Sequence, residues 1–126
     1  MKLTQLIVSA VLLLAATLSH ALEVKPYTPA ALAAAEKADQ PVALHFRADW
    51  CPTCRAQDKV LQSLRADKAL ELTVLAVDYD TEKALKRKFK VNTQSTLVVL
   101  HGPKEVARLV GDTSAQGIRA ALAAAL

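Results

Sequence analysis

Apolar and polar positions follow distinct patterns along the chain, and each pattern is typical of one kind of element. Compact apolar runs indicate buried strands, alternation of polar and apolar residues indicates a half-exposed strand, and apolar spacing of three or four between capping residues indicates a helix. In chain order the patterns predict a helix between Thr28 and Pro41, a strand at 42–48, a helix at 51–66, a strand at 72–79, a helix at 81–90 capped by Thr81, strands at 95–100 and 105–110, and a helix at 115–124.

The predicted order of elements indicates the fold class. Helices and strands alternate in the first half, which is typical of parallel strands, whereas the last two strands are joined by a short turn and form a hairpin. This order predicts an α/β fold in which a mixed central sheet carries helices on both faces. Ligands of such sheets bind beyond the carboxyl ends of the strands. Cys51 follows the strand at 42–48 and is therefore expected at such a position.

The first 21 residues have the three-part layout of a secretory signal peptide. Lys2 gives a positive start, residues 6–18 are largely apolar, and Ser19 and Ala21 are small residues before a cut after Ala21. A retained membrane anchor is the alternative, but a spanning helix needs about 20 apolar residues, and this run is shorter. We therefore expect one mature domain, residues 22–126, without a stable membrane span and located in the periplasm or otherwise exported.

The net charge of the chain is +4. A nucleic-acid surface would combine basic residues with stacking aromatic side chains, but only 4% of this chain is aromatic. The basic cluster is therefore interpreted as a solvated helix face, and no nucleic-acid partner is expected. This cluster consists of Lys83, Lys86, Arg87, Lys88 and Lys90.

The only two cysteines of the chain, Cys51 and Cys54, follow Trp50 and are separated by Pro52 and Thr53. Two cysteines are too few for a disulfide scaffold, so a purely structural role is not favoured. If Cys51 opens a helix, Cys54 lies one turn later, about 5–6 Å away, and a disulfide can form and break with little backbone movement.

The start of a helix also separates the roles of the two sulfur atoms. The unpaired N–H groups and the positive end of the helix dipole favour the thiolate of Cys51, which is the form that attacks a disulfide. Cys54 lies deeper and suits the resolving role. Pro52 fits the first helical turn, where no N–H is needed. Thr53 adds no positive charge to the reduced thiolate, which favours reduction of substrates over their oxidation.

The segment ADWCPTC, residues 48–54, on a predicted strand-to-helix turn resembles the active site of the thioredoxin superfamily. The element order and Gly111 before the last helix are similar to that family as well. The resemblance implies a thioredoxin-like three-layer sandwich and a monomeric thiol–disulfide oxidoreductase, with Cys51 as nucleophile and Cys54 as resolving thiol. It implies protein disulfides as substrates, a thiol protein as electron donor, and no cofactor or metal. Trp50, Pro52 and Thr53 are expected at the substrate surface.

Three positions depart from the family pattern. His45 replaces a buried acid six residues before the first cysteine, Ala76 replaces a lysine on the next central strand, and Ser95 replaces a cis-proline that faces the cysteine pair. His45 is either an ordinary core histidine or a catalytic group that accepts the Cys54 proton. We expect a trans bond before Ser95, a substrate strand paired with the backbone of Gln94, and a hydrogen bond from the Ser95 hydroxyl to the Cys51 thiolate.

Two other functions are compatible with the same residues. A metal-binding module could use Cys51, Cys54, His45 and one further ligand, although a lone C-x-x-C is a weak zinc signature. A binding protein without enzymatic activity is the other alternative, and the cysteine pair argues against it. Arg55 follows Cys54, so the C-x-x-C-H pattern of haem attachment does not occur at this pair.

Overall fold

A computed structural model describes residues 21–126, and residues 1–20, which hold most of the predicted signal segment, lie outside the described part. Five strands and four helices occupy the described residues. Their bounds are β1 Leu22–Pro26, α1 Pro29–Lys37, β2 Pro41–Arg47, α2 Pro52–Leu64, β3 Leu72–Asp78, α3 Lys83–Phe89, β4 Thr96–His101, β5 Lys104–Val110 and α4 Ala115–Ala123. Within residues 21–126, no helix has the length and apolar character required to cross a membrane.

The strands form one mixed sheet in the order β1-β3-β2-β4-β5. The pairs β1–β3 and β3–β2 are parallel, and the pairs β2–β4 and β4–β5 are antiparallel. The predicted mixed sheet and its terminal hairpin are therefore confirmed. Strand β2 is central and leads directly from its carboxyl end at Arg47 to the cysteine segment.

The sequence patterns missed strand β1, and the predicted element order was incomplete for this reason. Leu22 is fully buried and lies opposite Leu72, while Val24 lies opposite Val74. The strand has only five residues and ends in an exposed lysine and a proline. Such a short segment with one buried residue gives little periodicity, because an edge strand buries only part of its surface.

Two apolar layers cover the sheet. Leu32 of α1 and Leu85 of α3 pack on the face that carries Leu44 and Phe46 of β2. Leu61 of α2 and Leu122 of α4, among others, pack on the opposite face with Ala43. Because side chains alternate along a strand, His45 points to the same face as Ala43, toward α2 and α4. It shares a small cavity there with Leu61, Leu97 and Ile118.

Hydroxyl side chains cap α1 and α4. The Thr28 hydroxyl accepts a hydrogen bond from the Ala31 N–H, and the Ser114 hydroxyl accepts one from the Gly117 N–H. The prediction that Thr81 caps α3 was wrong. The N-cap position is Glu82, without a side-chain bond.

The turn before α3 is organised instead by Asp78. Its carboxylate accepts from the Asp80 N–H and its carbonyl accepts from the Glu82 N–H. These bonds include Thr81 in the turn, and the helix begins only after it, at Lys83.

Candidate active site

Cys51 and Cys54 form a disulfide at the amino-terminal end of α2. Their Cα atoms are 5.2 Å apart, within the range that a disulfide requires. Cys51 is the N-cap residue and Pro52 opens the helix. The predicted strand-to-helix placement of the pair is therefore confirmed.

Hydrogen bonds from the helix start converge on Cys51. The backbone N–H of Cys54 donates to Cys51 Sγ at 3.1 Å, and the N–H of Arg55 donates to the Cys51 carbonyl at 3.1 Å. The extended backbone of Cys51, with φ −91° and ψ 108°, directs its side chain back over the first turn. When the disulfide is reduced, this N–H and the helix dipole stabilise a negative charge on Cys51 Sγ.

The two cysteines differ less in burial than the sequence suggests. Cys54 is fully buried and Cys51 is only 2% exposed, and both pack against Ala48. Pro52, which lies between them, is exposed. Cys51 Sγ can therefore be reached only in a narrow range of orientations.

Trp50, which the resemblance places at the substrate surface, lies mostly in solvent. Its side chain is 57% exposed. The indole Nε1 donates a hydrogen bond to Asp80 Oδ2 at 2.8 Å. This bond, rather than packing in the core, positions the ring. Trp50, Ala76 and Asp80 line an open groove of about 320 Å³.

His45 is buried and both ring nitrogens face polar side chains. Nε2 lies 2.8 Å from Gln57 Oε1, and Nδ1 lies 3.5 Å from Asp58 Oδ1. Burial lowers the pKa of His45 below its ordinary value of 6.5, and the contacts with Gln57 and Asp58 only partly oppose this. The ring is therefore neutral at pH 7.

Arg47 is engaged in an ion pair beside the site. Its Nε and Nη2 atoms lie 3.0 and 2.9 Å from Asp58 Oδ2, and Nη1 lies 3.0 Å from Asp49. Arg55 donates to the Asp49 carbonyl at 2.8 Å. Both guanidinium groups adjacent to the cysteine segment thus have anionic or carbonyl partners.

Gln57 is a site residue that the sequence analysis missed. Its amide nitrogen donates to the carbonyl of Ser95 at 3.1 Å and to the carbonyl of Asp112 at 2.9 Å, while its oxygen faces His45. The side chain is 2% exposed. The available signal was a polar residue on the stripe of α2 that buries Cys54, Leu61 and Leu64. Gln57 joins the active-site helix to three other segments.

The segment before β4 has an unusual backbone at Ser95. Its φ is +58°, in the left-handed region, and residues 21–126 contain no cis peptide bond, so Gln94–Ser95 is trans as expected. The Ser95 hydroxyl donates to the Gln94 carbonyl at 2.6 Å. In the disulfide form, therefore, this hydroxyl is occupied locally rather than directed to Cys51. Gln94 is partly exposed.

The metal-binding alternative gains no support from the geometry. Across the described residues 21–126, no group of three or more His, Cys, Asp or Glu side chains is arranged to hold a metal ion. His45, the third ligand considered, directs its nitrogens at Gln57 and Asp58.

Comparison with known proteins matches this site and fold to one family. The sequence model of the Thioredoxin family matches residues 24–124. The crystal structure of Trxlp from Edwardsiella tarda EIB202 is similar, with 39% identity and a TM-score of 0.75, covering 79% of this chain and 98% of that one. Oxidised thioredoxin O2 from Arabidopsis thaliana has 24% identity and a TM-score of 0.66, covering 80% of this chain and 90% of its own, which supports the fold alone.

A thioredoxin from Mycobacterium bovis is 34% identical over 73 residues, which is 58% of this chain. The match spans 63% of that thioredoxin, and a similar match spans only 16% of a bifunctional thioredoxin reductase/thioredoxin from Mycobacterium leprae. The family match, in contrast, extends over most of the chain, from within β1 to the end of α4. The chain belongs to the thioredoxin family.

Proposed function

We propose that this protein is a thiol–disulfide oxidoreductase that reduces disulfide bonds of other proteins outside the cytoplasm. The observation that carries the proposal is the Cys51–Cys54 disulfide at the start of α2, where the Cys54 N–H donates to Cys51 Sγ. Membership of the thioredoxin family supports it. A pair that can open and close at a helix start is suited to reversible two-electron chemistry.

The reaction proceeds in two exchange steps. In the reduced protein, the Cys51 thiolate attacks one sulfur of a substrate disulfide, a bond forms between Cys51 and that sulfur, and the other substrate sulfur leaves as a thiolate. Cys54 then loses its proton and its sulfur attacks Cys51 Sγ. The substrate leaves as a second thiolate and the Cys51–Cys54 disulfide forms. The substrate gains two electrons, and a donor thiol protein returns two electrons to the pair.

His45 is the proposed acceptor of the Cys54 proton. It is neutral at pH 7 because burial lowers its pKa, so it has a free nitrogen for a proton. Its ring contacts Gln57 and Asp58, which lie three and four residues after Cys54 on α2. Residues with this spacing share one face of a helix. The ring of His45 therefore faces the side of α2 that also carries the resolving thiol.

The proposed substrate surface surrounds the small part of Cys51 that reaches solvent. Trp50 and Pro52 are exposed and Thr53 is partly exposed on the helix side. Gln94 and Ser95 form the opposite side, because the Ser95 carbonyl is bonded to Gln57 of the same helix. An extended substrate segment can pair with the Gln94 backbone while its disulfide reaches Cys51.

The proposed direction of electron transfer rests on the charges near Cys51, and the proposed location of the protein rests on the amino-terminal sequence pattern. Arg47 is paired with the carboxylates of Asp49 and Asp58, Arg55 donates to the neutral backbone carbonyl of Asp49, and Thr53 carries no charge, so the described contacts of these residues bring no cation to Cys51 Sγ. A strong oxidant needs stabilisation of its reduced form. The apolar run and small residues before Leu22 support export.

Three measurements test the proposal. Reduction of a model protein disulfide, with dithiothreitol as donor, should be accelerated by the wild type and by a Gln62→Met control at an exposed position of α2, but not by Cys51→Ser. Equal rates with Cys51→Ser would refute the mechanism. Equilibration with glutathione buffers gives the potential: a value near about −270 mV supports a reductant, and one near about −120 mV an oxidant. An intact mass that begins at Leu22 in the exported fraction would support the location, and retention of residues 1–21 would oppose it.

A further inference from the structure

The orientation of the Gln57 amide determines which group faces His45. Gln57 Nε2 lies within hydrogen-bond distance of two backbone carbonyls, those of Ser95 and Asp112. A carbonyl oxygen can only accept, so the amide NH₂ group must occupy this side. The amide oxygen Oε1 is then fixed 2.8 Å from His45 Nε2.

This orientation in turn assigns the proton on the neutral imidazole. Oε1 is an acceptor, so Nε2 of His45 has to be the donor of the hydrogen bond between them. In a neutral ring the other nitrogen, Nδ1, then carries no proton. Nδ1 is the atom that lies 3.5 Å from Asp58 Oδ1.

We propose that Gln57 is a positioning residue that keeps the His45 proton on Nε2 and so makes Nδ1, beside Asp58, the atom that takes up and releases a proton during resolution. The inference rests on the proposed function, because it assigns an atom and a proton route to the same site. In the step, the Cys54 S–H bond breaks and an Nδ1–H bond forms. The imidazolium then returns this proton to solvent on the Asp58 side.

The surroundings of the ring favour that route. Asp58 is the carboxylate that faces His45, its side chain is 35% exposed, and Arg47 is the cation bound to it. The remaining described side chains that line the cavity are apolar, namely Leu61, Leu97 and Ile118. A proton on Nδ1 therefore meets an anion that also contacts water, whereas a proton that left through Nε2 would meet the buried Gln57.

Nitrogen NMR of ¹⁵N-histidine-labelled protein tests the assignment without any turnover. Above the midpoint of its titration, the His45 ring should carry its proton on Nε2, and His45→Asn identifies its resonances against those of His101. A proton on Nδ1 in the wild type would overturn the proposal even if the protein proves to be an active reductase. The position of the proton on His45 can be measured even if the protein reduces no disulfide, so failure of the proposed function and failure of the proposed proton position are distinguishable.

Variants then test the function of the arrangement. Gln57→Met removes both donors and the acceptor at similar volume, so the proton should move largely to Nδ1 beside the Asp58 carboxylate, and the resolution step at pH 7 should slow by about tenfold. Gln62→Met is a matched control, because Gln62 is an exposed residue of the same helix. If folded Gln57→Met keeps the tautomer and the pH profile of resolution of the wild type, Gln57 has only a structural role and the proposal is overturned.

Asp58→Asn supplies a second test that does not depend on the buried glutamine. It should keep the proton on Nε2 and yet shift the pH profile of resolution, because the carboxylate that stabilises a proton on Nδ1 is lost. A pH profile identical to that of the wild type would overturn the route past Asp58.

Discussion

The backbone N–H of Cys54 donates a hydrogen bond to Sγ of Cys51 at 3.1 Å, so the first cysteine acts as the cap of the helix that contains the second. The relationship is asymmetric. Cys51 receives an N–H bond and lies at the positive end of the helix dipole, whereas Cys54 lies one turn further along and is fully buried.

We expect Cys51 to be alkylated before Cys54 when the reduced protein is treated with limiting iodoacetamide at neutral pH. The cap bond and the dipole favour the thiolate at Cys51, and only the thiolate reacts. Peptide mapping by mass spectrometry measures the ratio of the two labels. In the resolving-cysteine variant Cys54→Ser, Cys51 should still react and should accumulate mixed disulfides with substrates. Preferential labelling of Cys54 would reverse the assigned roles.

The bond between Trp50 and Asp80 gives a prediction for substrate binding. Asp80→Ala removes the acceptor of the indole N–H, which lies at 2.8 Å, and leaves an exposed ring free to turn. The Michaelis constant for a protein disulfide should rise about two- to tenfold, since one hydrogen bond contributes about 0.5–1.5 kcal/mol. The chain has a single tryptophan, so fluorescence anisotropy reports the freed ring directly.

Asp49→Ala is the matched control for this change. It removes the same charge next to Trp50, but from a side chain that is 98% exposed. If Asp49→Ala raises the Michaelis constant as much as Asp80→Ala does, net charge rather than the position of Trp50 determines binding.

The sheet and the cysteine pair could be predicted from sequence because both depend on local pattern. Apolar runs predicted β2, β3 and β4, and a C-x-x-C after a strand predicted a redox pair. The contacts around that pair could not be predicted in this way. Trp50 bonds to a residue 30 positions later, and Gln57 bonds to backbone carbonyls 38 and 55 positions later.

The burial of His45 was expected from its strand, but its partners depend on the same long-range geometry. A glutamine carries no charge and is common on helices, so its sequence position alone gives no reason to pair it with a histidine on β2. Arg47 and Asp58 likewise lie on different elements, β2 and α2, so sequence position alone does not pair them. Their contact joins the carboxyl end of β2 to α2.

His45 should make the stability of the fold depend on pH in a definite direction. Burial lowers its pKa in the folded protein below 6.5. As the pH falls, His45 in the unfolded chain therefore binds a proton at a higher pH than His45 in the folded protein does. The neutral, buried ring therefore adds to the free energy of unfolding above about pH 6.5. This contribution is lost as the pH falls through the pKa of His45 in the folded protein. His45→Asn should be less stable than the wild type at pH 8, and this difference should narrow toward pH 5.

Chemical denaturation at several pH values measures this difference. His101→Asn is the control, because His101 is only partly buried, with a side chain that is 44% exposed. A difference between wild type and His45→Asn that stays constant or widens as the pH falls would contradict the neutral state of the buried ring.

The left-handed backbone of Ser95 predicts that the family's proline cannot simply be restored. Proline fixes φ near about −65°, whereas Ser95 has a φ of +58°. Ser95→Pro should therefore lower the free energy of unfolding by more than about 1 kcal/mol. The change also moves the Ser95 carbonyl, which accepts bonds from Gln57 Nε2 and from the Gly111 N–H.

Ser95→Gly separates backbone strain from the loss of the side chain. Glycine adopts positive φ freely, and a left-handed conformation costs other residues about 1–2 kcal/mol. Because Ser95→Gly relieves that cost but loses the hydroxyl bond to Gln94, its stability should lie within about 1 kcal/mol of the wild type. It should also keep the carbonyl in place for Gln57, and with it the rate of resolution. Urea denaturation of the two variants gives the comparison, and a Ser95→Pro protein as stable as Ser95→Gly would mean that this loop adopts a different backbone in solution.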